Sequence, residues 1–408
     1  MEKLDAILAK YVATDEDTTD KLLGAVFIVC DSQKILYQGS AGRTDLSPSS
    51  PPFTIDTWTW AASMSKVVTI TGVMSLVEQG ILNLDADMRP VVPELGKLPI
   101  LRGFDDDGQP ILEENKDPIT LRHLLTHGAG IGTDLADPDL QRWSRAVGRT
   151  ATCTDYTLEG WSVPLRFPPG QGWYYGGGTE FAGAAVERIT GRRLDQVMAD
   201  AVLGPLDMAD TTFFRDAPEI RSRVAGRTAP CALRDPQTRA LSSVLPELAP
   251  VPSDPEILSL GSGLYTTAAD HIKVLRGLLR SSGGLGGGGL LKKETVDEMF
   301  RPQLSEAQRA VLQSVTGAFH DAMVPEFEAD MPLDHGMAGV INLRDAPGKR
   351  RRGSMMWQGM ANGHWWVDRE TGIAATLFVS VMPLPDPVVV RLYDELERAV
   401  YGDLLRTG

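Results

Sequence analysis

A serine and a lysine three residues apart, Ser63 and Lys66, lie in the segment WAASMSKVVTITGVMSLVEQG. In a helix, residues i and i+3 share a face, so the Lys66 amine would reach the Ser63 oxygen. A serine hydroxyl is a weak nucleophile until a nearby group accepts its proton. The pair therefore indicates a nucleophile beside a possible base, although the four residues alone also suit an N-terminal serine and a solvated lysine.

The residues that follow Ser63 predict an amphipathic helix that ends near Gly80. Apolar residues recur there at intervals of three and four, namely Val67, Ile70, Met74 and Val77. Ser63 would then lie close to the helix N-terminus. Free backbone N–H groups and the helix dipole at such an end favour negative charge on an attacking oxygen or on an oxyanion.

Two later segments could complete a site. In PPGQGWYYGGGTEFAGAAVERITG, Tyr175 precedes a glycine run and then a predicted helix that ends at Gly191. Glycines allow the backbone to approach a ligand closely. The segment RRGSMMWQGMANGHWWVDRETGIAATLFVSV predicts two strands joined by a turn at 368–372. Gly359, at a strand edge, would leave a backbone N–H unhindered for an oxyanion.

Together these segments resemble a known enzyme group. Ser63-x-x-Lys66, Tyr175 and Trp357-Gln358-Gly359 are similar, in order and separation, to the three motifs of the serine β-lactamase and penicillin-binding-protein superfamily, in its class C and esterase branch. Further segments resemble the fungal acyltransferases that attach a short acyl side chain in lovastatin biosynthesis: LRGFDDDGQPIL, ITLRHLLTHGAGI, PPGQGWYYGGGTEFAG and LGPLDMADTTF. The likeness runs through most of the chain.

The resemblance implies a role for each matching residue. Ser63 would become acylated, Lys66 would keep it activated, and Tyr175 would relay protons among Ser63, the leaving group and the acceptor. The backbone N–H groups of Ser63 and Met360 would form the oxyanion hole. A lysine or a tyrosine serves as a base near neutral pH only when its pKa is lowered. Which of the two is the base stays open, and we expect a coupled pair with shared titration.

The sequence departs from the β-lactamase pattern at two positions. Gly177 stands where the second motif usually has asparagine, and Trp357 stands where the third usually has lysine. The asparagine and lysine that are missing here are suited to bind the amide and carboxylate of a β-lactam. Without them, we expect a wider, more apolar opening that suits an ester or thioester. The candidate substrate-binding residues are Tyr174, Gly177, Trp357, Gln358, Gly359 and His364.

Other apparent motifs favour ordinary interpretations. His123 and His127 have the spacing of a zinc hydrolase, but Leu124 replaces the glutamate that such a site needs. No G-x-S-x-G motif occurs. The basic run at 349–352 is interpreted as a solvated turn. We therefore expect neither a metal nor a cofactor.

Composition predicts a cytoplasmic enzyme. The 408 residues are 42% hydrophobic and 23% charged, and the net charge of −14 disfavours nucleic acid as a partner. The first twenty residues are polar and acidic, which predicts neither a signal peptide nor a membrane span. An odd number of scattered cysteines argues against a disulfide framework: Cys30, Cys153 and Cys231.

The expected fold is α/β (α+β): an antiparallel sheet flanked by helices, built from N- and C-terminal segments, plus a mostly helical lobe. We expect 1–90 and 256–408 to form the sheet lobe and 91–255 the helical lobe, with the site between them. A hairpin should turn at 31–34. The glycine-rich segment 281–291 and the stretch 301–345 are expected to be loops that border the entrance.

Two classes of function follow. In the favoured one, Ser63 attacks a small-molecule acyl donor, and water or an alcohol acceptor then removes the acyl group, so that the enzyme is an esterase or acyltransferase for short or hydrophobic acyl esters or thioesters. The alternatives are an amide hydrolase of the β-lactamase or D-amino-acid peptidase type and a binding module that forms an acyl adduct without turnover. Oligomeric state is left open.

Overall fold

The computed structural model describes residues 1–243, 251–283 and 290–406. Its strands are β1 (Gly24–Asp31), β2 (Ile35–Gly42), β3 (Thr59–Trp60), β4 (Ile100–Phe104), β5 (Pro110–Glu113), β6 (Ala232–Arg234), β7 (Leu241–Ser243), β8 (Tyr265–Thr266), β9 (Leu333–His335), β10 (Val340–Asn342), β11 (Met355–Gln358), β12 (His364–Asp368), β13 (Ile373–Phe378) and β14 (Val381–Met382). The predicted hairpins at 31–34 and 368–372 are both present, as β1–β2 and β12–β13.

The helices alternate with these strands along the chain. They are α1 (Glu2–Tyr11), α2 (Ser65–Glu78), α3 (Leu121–Leu125), α4 (Pro138–Ala146), α5 (Leu158–Trp161), α6 (Gly178–Thr190), α7 (Leu194–Met198), α8 (Pro218–Arg223), α9 (Ala268–Ser282), α10 (Lys293–Phe300), α11 (Glu306–Ala318), α12 (His320–Met323) and α13 (Pro387–Gly402). Among the described residues, no helix is both long and apolar enough to cross a membrane.

One seven-stranded antiparallel sheet joins the two ends of the chain, in the order β2-β1-β13-β12-β11-β10-β9. Strand β1 pairs with β13, so that Val26 lies opposite Phe378 and Val29 opposite Ala375. The prediction of a mixed fold with a sheet from N- and C-terminal segments is confirmed. The proposed lobe boundaries remain a prediction.

Helices cover both faces of this sheet. On one face, α13 places Tyr393 against the rings of His364 and Trp366 in β12. On the other face, His271 of α9 contacts Phe378 and Thr376 of β13. Because both faces are covered, every residue of β11, β12 and β13 is buried, including the polar ones.

Helix α2 lies at the centre of the molecule. The sequence predicts one apolar stripe, but almost every residue of α2 from Ser65 to Leu76 is buried, so the prediction of an amphipathic helix is wrong. Thr71 satisfies its buried hydroxyl by donating to the Val67 carbonyl, and Thr69 donates to that of Leu260. A helix can therefore be buried on all sides although it carries polar residues.

The stretch 301–345 is not the loop that the sequence analysis expects. It contains α11, α12, β9 and β10. Helix α11 begins with a capping box, in which Ser305 accepts from the Gln308 N–H and the Gln308 side chain accepts from the Ser305 N–H. Ser-x-x-Gln is a helix-start signal that the sequence carries. The expected glycine-rich loop falls largely at 284–289, outside the described residues.

The basic run at 349–352 is also corrected. Arg350 is fully buried between two acidic side chains, donating to Glu397 at 2.7 Å and to Glu326 at 3.3 Å. Its guanidinium group lies 4.8 Å from the ring centroid of Trp366. A buried cation is tolerated when it is paired in this way. Lys349 is buried as well, whereas Arg351 and Arg352 are exposed.

Candidate active site

Ser63 lies in a short turn of 3-10 helix, Ala62–Met64, directly before α2. The residue before it, Ala62, has a φ of 47°, in the left-handed region that non-glycine residues rarely adopt. The Met64 N–H donates to the Ala61 carbonyl and closes the turn. This bend leaves the Ser63 side chain half-buried at the start of the helix.

The three residues that the sequence assigns to catalysis meet at one point. Lys66 Nζ lies 3.3 Å from Ser63 Oγ and 2.9 Å from the Tyr175 hydroxyl. The Tyr175 hydroxyl lies 2.6 Å from Ser63 Oγ. More than a hundred residues separate the serine from the tyrosine along the chain, so the fold is what creates this contact.

Lys66 has an acceptor for each of its three N–H bonds. The third acceptor is the carbonyl of Gly261, at 2.9 Å. An ammonium group has three donors and no acceptor, so the arrangement fits a protonated amine. Its nitrogen also lies 4.8 Å from the Tyr175 ring centroid, a favourable distance for a cation beside an aromatic face.

The Tyr175 ring is held between His127 and Trp357. Its centroid lies 4.7 Å from that of His127 and 5.0 Å from that of Trp357. The Trp357 indole N–H also donates to the Tyr175 oxygen at 3.3 Å. Trp357 is therefore a buried partner of the phenol, and its role in substrate binding stays a prediction.

Two buried histidines lie behind the phenol. His127 contacts His335 edge to face, with centroids 5.3 Å apart. Burial lowers the pKa of His335 to about 4 and holds the pKa of His127 well below its ordinary value, where the neighbouring His335 and Lys66 contribute in the same direction. Both rings are therefore neutral at physiological pH, and they add no positive charge beside Lys66.

The third motif packs against the turn that carries Ser63, but the Gly359 N–H donates to the Gly363 carbonyl at 2.8 Å, so it is not the free donor that the sequence analysis expects. A Cβ on Gly359 would stand 2.6 Å from the Ala61 carbonyl and 3.3 Å from the Ala62 Cβ. Glycine is thus required for β11 to end against the turn that carries Ser63. Neither the Ser63 nor the Met360 N–H has a partner in the part of the chain that the structure describes.

Asn362 fixes the turn that carries Met360. Its amide nitrogen donates to the carbonyls of Val381 and Pro383, and its amide oxygen accepts from the Asp386 N–H. Its φ of 61° is again left-handed, a conformation that asparagine tolerates better than most residues. The bonds hold the turn between β11 and β12 against β14 and the start of α13.

Left-handed non-glycine residues occur in two of the three segments that form the site, and a third packs on Tyr175. They are Ala62 beside Ser63, His127 beside Tyr175, and Asn362 beside Met360. Each such residue costs on the order of 1 kcal/mol or more, and it persists only where the surrounding structure enforces it. Three of the seven left-handed non-glycine residues among those described therefore lie at this convergence.

Gly177 does not create the open space that the sequence analysis expects. A Cβ there would stand 2.4 Å from a ring carbon of Trp161 in α5. The indole occupies the place where an asparagine side chain would otherwise begin, so the opening is filled rather than widened. Tyr174 is half-buried, and its hydroxyl donates to Asp137 at 3.0 Å.

Gln358 and His364 are corrected as substrate-binding candidates. They lie opposite each other in β11 and β12, and successive side chains of a strand point to opposite faces. Trp357 points toward Ser63, so this pair points away from it. Gln358 donates to the Ala322 carbonyl, and His364 stacks on Tyr393 with 4.2 Å between centroids.

The two histidines with zinc-like spacing have separate structural roles. His123 belongs to the cap of α3, where its side chain accepts from the Thr120 N–H, while His127 packs on Tyr175. No cluster of potential metal ligands occurs within residues 1–243, 251–283 and 290–406.

Sequence reasoning missed three residues that the structure brings to the site: Asn362, His335 and Gly261. The Asn362-Gly363 dipeptide between two predicted strands is a turn signal that could have identified the first. No local pattern marks the other two, because Gly261 reaches Lys66, and His335 reaches His127 and Trp357, through long-range packing.

Comparisons with known proteins agree with this geometry. Residues 4–399 match the Beta-lactamase family model. The chain is 30% identical to a lovastatin esterase of Penicillium rubens over 94% of its length and 95% of that protein. It is 31% identical to a monacolin J acid methylbutanoyltransferase of Aspergillus terreus, over 88% of this chain and 86% of that one.

A solved structure is similar as well. A mutant of simvastatin synthase from Aspergillus terreus superposes with a TM-score of 0.86 at 29% identity, covering 99% of this chain and 95% of that one. Esterases and acyltransferases thus recur among relatives that align along nearly the whole length. The chain belongs to the Beta-lactamase family, and it is an enzyme of that family's serine esterase and acyltransferase branch.

Proposed function

We propose that the protein transfers short or hydrophobic acyl groups from esters or thioesters through an acyl-Ser63 intermediate. The observation that carries this proposal is the contact of Ser63 Oγ with both Tyr175 and Lys66, at 2.6 and 3.3 Å. A nucleophile in contact with two groups that can exchange protons is the arrangement that covalent acyl transfer requires.

Acylation begins when the Lys66–Tyr175 pair accepts the Ser63 proton while Ser63 Oγ attacks the acyl carbonyl. The carbonyl oxygen becomes an oxyanion that the N–H groups of Ser63 and Met360 stabilise. The tetrahedral adduct then breaks its bond to the leaving alcohol or thiol, which takes the proton back from the pair. The product of this half-reaction is an ester on Ser63.

Deacylation reverses these steps with a different nucleophile. Water or an alcohol loses its proton to the same pair, attacks the acyl-Ser63 carbonyl, and releases the Ser63 oxygen, which is reprotonated. Water gives hydrolysis and an alcohol gives transfer, so the outcome depends on which molecule occupies the acceptor position.

The names of the relatives guide the choice of substrate. Lovastatin esterase and monacolin J acid methylbutanoyltransferase name an ester and a small branched acyl group, respectively. We extend this chemistry to the present chain as a small acyl donor and a hydrophobic alcohol acceptor. Trp161 and Trp357 support an ester over a β-lactam, because they replace the polar surroundings that the usual asparagine and lysine provide.

Intact-protein mass spectrometry after brief exposure to p-nitrophenyl butyrate tests the proposal. The expected result is a butyryl adduct on the wild type and none on Ser63→Ala, with release of p-nitrophenol by the wild type alone. Product analysis with an excess of a hydrophobic alcohol should then detect the transferred ester. A wild type that neither acylates nor turns over would refute the function, and free acid as the sole product would refute transfer.

A further inference from the structure

A buried carboxylate lies on the far side of Lys66 from the nucleophile. It belongs to Glu180, five residues after Tyr175, in the first turn of α6. Only 3% of Glu180 is exposed. A charged side chain is rarely buried so fully unless it is paired, and the mechanism above assigns it no task.

The Glu180 carboxylate accepts three hydrogen bonds. Thr179 Oγ1 donates to Oε2 at 2.8 Å, and Ser259 Oγ donates to Oε1 at 2.7 Å. The Gly261 N–H donates to the same Oε1 at 3.3 Å. These three contacts satisfy the buried carboxyl group on both of its oxygens.

These bonds connect Glu180 to Lys66 through one short segment, 259–261. The N–H of Gly261 binds Glu180, while its carbonyl accepts from Lys66 at 2.9 Å. The carbonyl of Leu260 accepts from Thr69, one turn after Lys66. Hydrogen bonds to Glu180 in α6 and to Lys66 and Thr69 in α2 therefore hold the segment between these two helices.

Gly261 has no side chain, and this allows the two charges to approach each other. A Cβ there would stand 2.8 Å from Glu180 Oε1 and 3.0 Å from Lys66 Nζ. Both atoms lie within about 3 Å of one point, so less than about 6 Å separates them, the range in which an opposite charge favours an ionised partner.

We infer that Glu180 is a positioning residue for Lys66: it fixes the Gly261 carbonyl that Lys66 binds, and its carboxylate lies within about 6 Å of the Lys66 amine. This inference rests on the proposed function, because it assigns a cationic Lys66 to the proton-exchanging pair.

Other titratable groups face these two residues. Tyr175, His127 and His335 face Lys66, and both histidines are neutral because burial lowers their pKa. Cys153 and Tyr156 lie near Glu180, and burial raises the pKa of each, with a smaller contribution from the Glu180 charge. The two histidines, Cys153 and Tyr156 are therefore uncharged near neutral pH, so that none of these four groups competes with the charge of the Glu180 carboxylate beside Lys66.

The test is the pH–rate profile of Glu180→Gln with p-nitrophenyl butyrate. The amide keeps the size of the side chain but removes its charge. We expect kcat to fall about tenfold with KM nearly unchanged, and the alkaline limb of the profile to move to lower pH by about one unit, because a neutral neighbour no longer favours the protonated amine.

Glu187→Gln is the matched control, since Glu187 lies on the same helix and accepts from the Leu194 N–H instead. Its rate and profile should match the wild type. A Glu180→Gln enzyme with the wild-type rate and alkaline limb overturns the inference while leaving the proposed function intact. A wild type that forms no acyl-Ser63 overturns the proposed function itself.

If Glu180→Gln does not fold, as judged by thermal melting, Ser259→Ala takes its place. That variant removes one donor to the carboxylate but keeps the charge. We expect kcat to fall about threefold while the alkaline limb stays in place, since a loosened Gly261 carbonyl positions Lys66 less well. An unchanged kcat in Ser259→Ala overturns the positioning role.

Discussion

The indole N–H of Trp357 donates to the phenol oxygen of Tyr175 at 3.3 Å. Lys66 donates to the same oxygen at 2.9 Å. Two donors on one oxygen stabilise it most when it carries negative charge, so the arrangement favours the phenolate that arises if Tyr175 gives up its proton. A neutral donor thus stands at the position where relatives with the usual third motif have a lysine.

Trp357→Phe tests this contact. Phenylalanine keeps an aromatic ring beside Tyr175 but removes the N–H. Because a hydrogen bond to a charged group contributes about 1.5 kcal/mol or more, we expect kcat for p-nitrophenyl butyrate to fall about tenfold or more. Trp365→Phe is the control, since its buried N–H has no partner among the described residues and its loss should leave kcat unchanged. Equal rates in the two variants would contradict the assignment.

Removal of the nucleophile or of the phenol should separate their roles. We expect Ser63→Ala to abolish turnover and Tyr175→Phe to raise the activation barrier by about 2 to 5 kcal/mol, since the phenol supplies proton transfer and positioning. Steady-state kinetics measures both effects, and thermal melting near the wild-type temperature shows that each variant is folded. Near-normal turnover by either variant would remove that residue from the mechanism.

Asn362→Ala should disturb the turn that carries Met360, whose N–H we propose as an oxyanion donor. The substitution deletes three hydrogen bonds and leaves alanine in a left-handed conformation. We expect a loss of about 3 kcal/mol in the free energy of unfolding, measured in urea, and a lower kcat because the turn that carries Met360 is no longer held. Unfolding curves that coincide with those of the wild type would disprove this anchoring role.

The buried pair of Glu326 and Arg350 predicts a pH-dependent stability. Burial raises the pKa of Glu326 to about 6 from an ordinary value of 4.5, although Arg350 opposes the effect. The folded state therefore binds this proton more tightly than the unfolded state. The resulting stabilisation is fully present below pH 4.5 and is lost as the pH rises through 6, by about 2 kcal/mol.

Glu326→Gln removes this titration. Between pH 4.5 and 7, the free energy of unfolding of the wild type should therefore fall by about 2 kcal/mol relative to that of the variant. Urea unfolding at several pH values provides the measurement. Stability curves that stay parallel over the whole range would show that Glu326 does not titrate there.

Sequence reasoning was most successful where spacing reflects local geometry. Ser63 and Lys66 are one helical turn apart, and Tyr175 precedes a helix that ends at Gly191, whose φ is 67°. The strand pair β12–β13 follows from its turn residues. For each of these features, the chemistry of neighbouring residues is enough to determine the local structure.

Predictions failed where distant segments decide the outcome. Arg350 has the sequence surroundings of an exposed turn, yet Glu326 and Glu397 make its burial favourable. In the sequence, Gly177 suggests an open pocket, but in the structure Trp161 of α5 fills that space. None of the three partners, Glu326, Glu397 and Trp161, lies close enough in the sequence to appear in a local pattern.

The pairing of β1 with β13 has a consequence for folding during translation. Val26 and Phe378 are partners in the central sheet, but the ribosome adds Val26 early in synthesis and Phe378 late. Until the later strand emerges, the apolar β1–β2 hairpin presents an unpaired edge, the kind of surface to which other chains adhere. Nascent chains of this enzyme should therefore depend on chaperones for most of their synthesis.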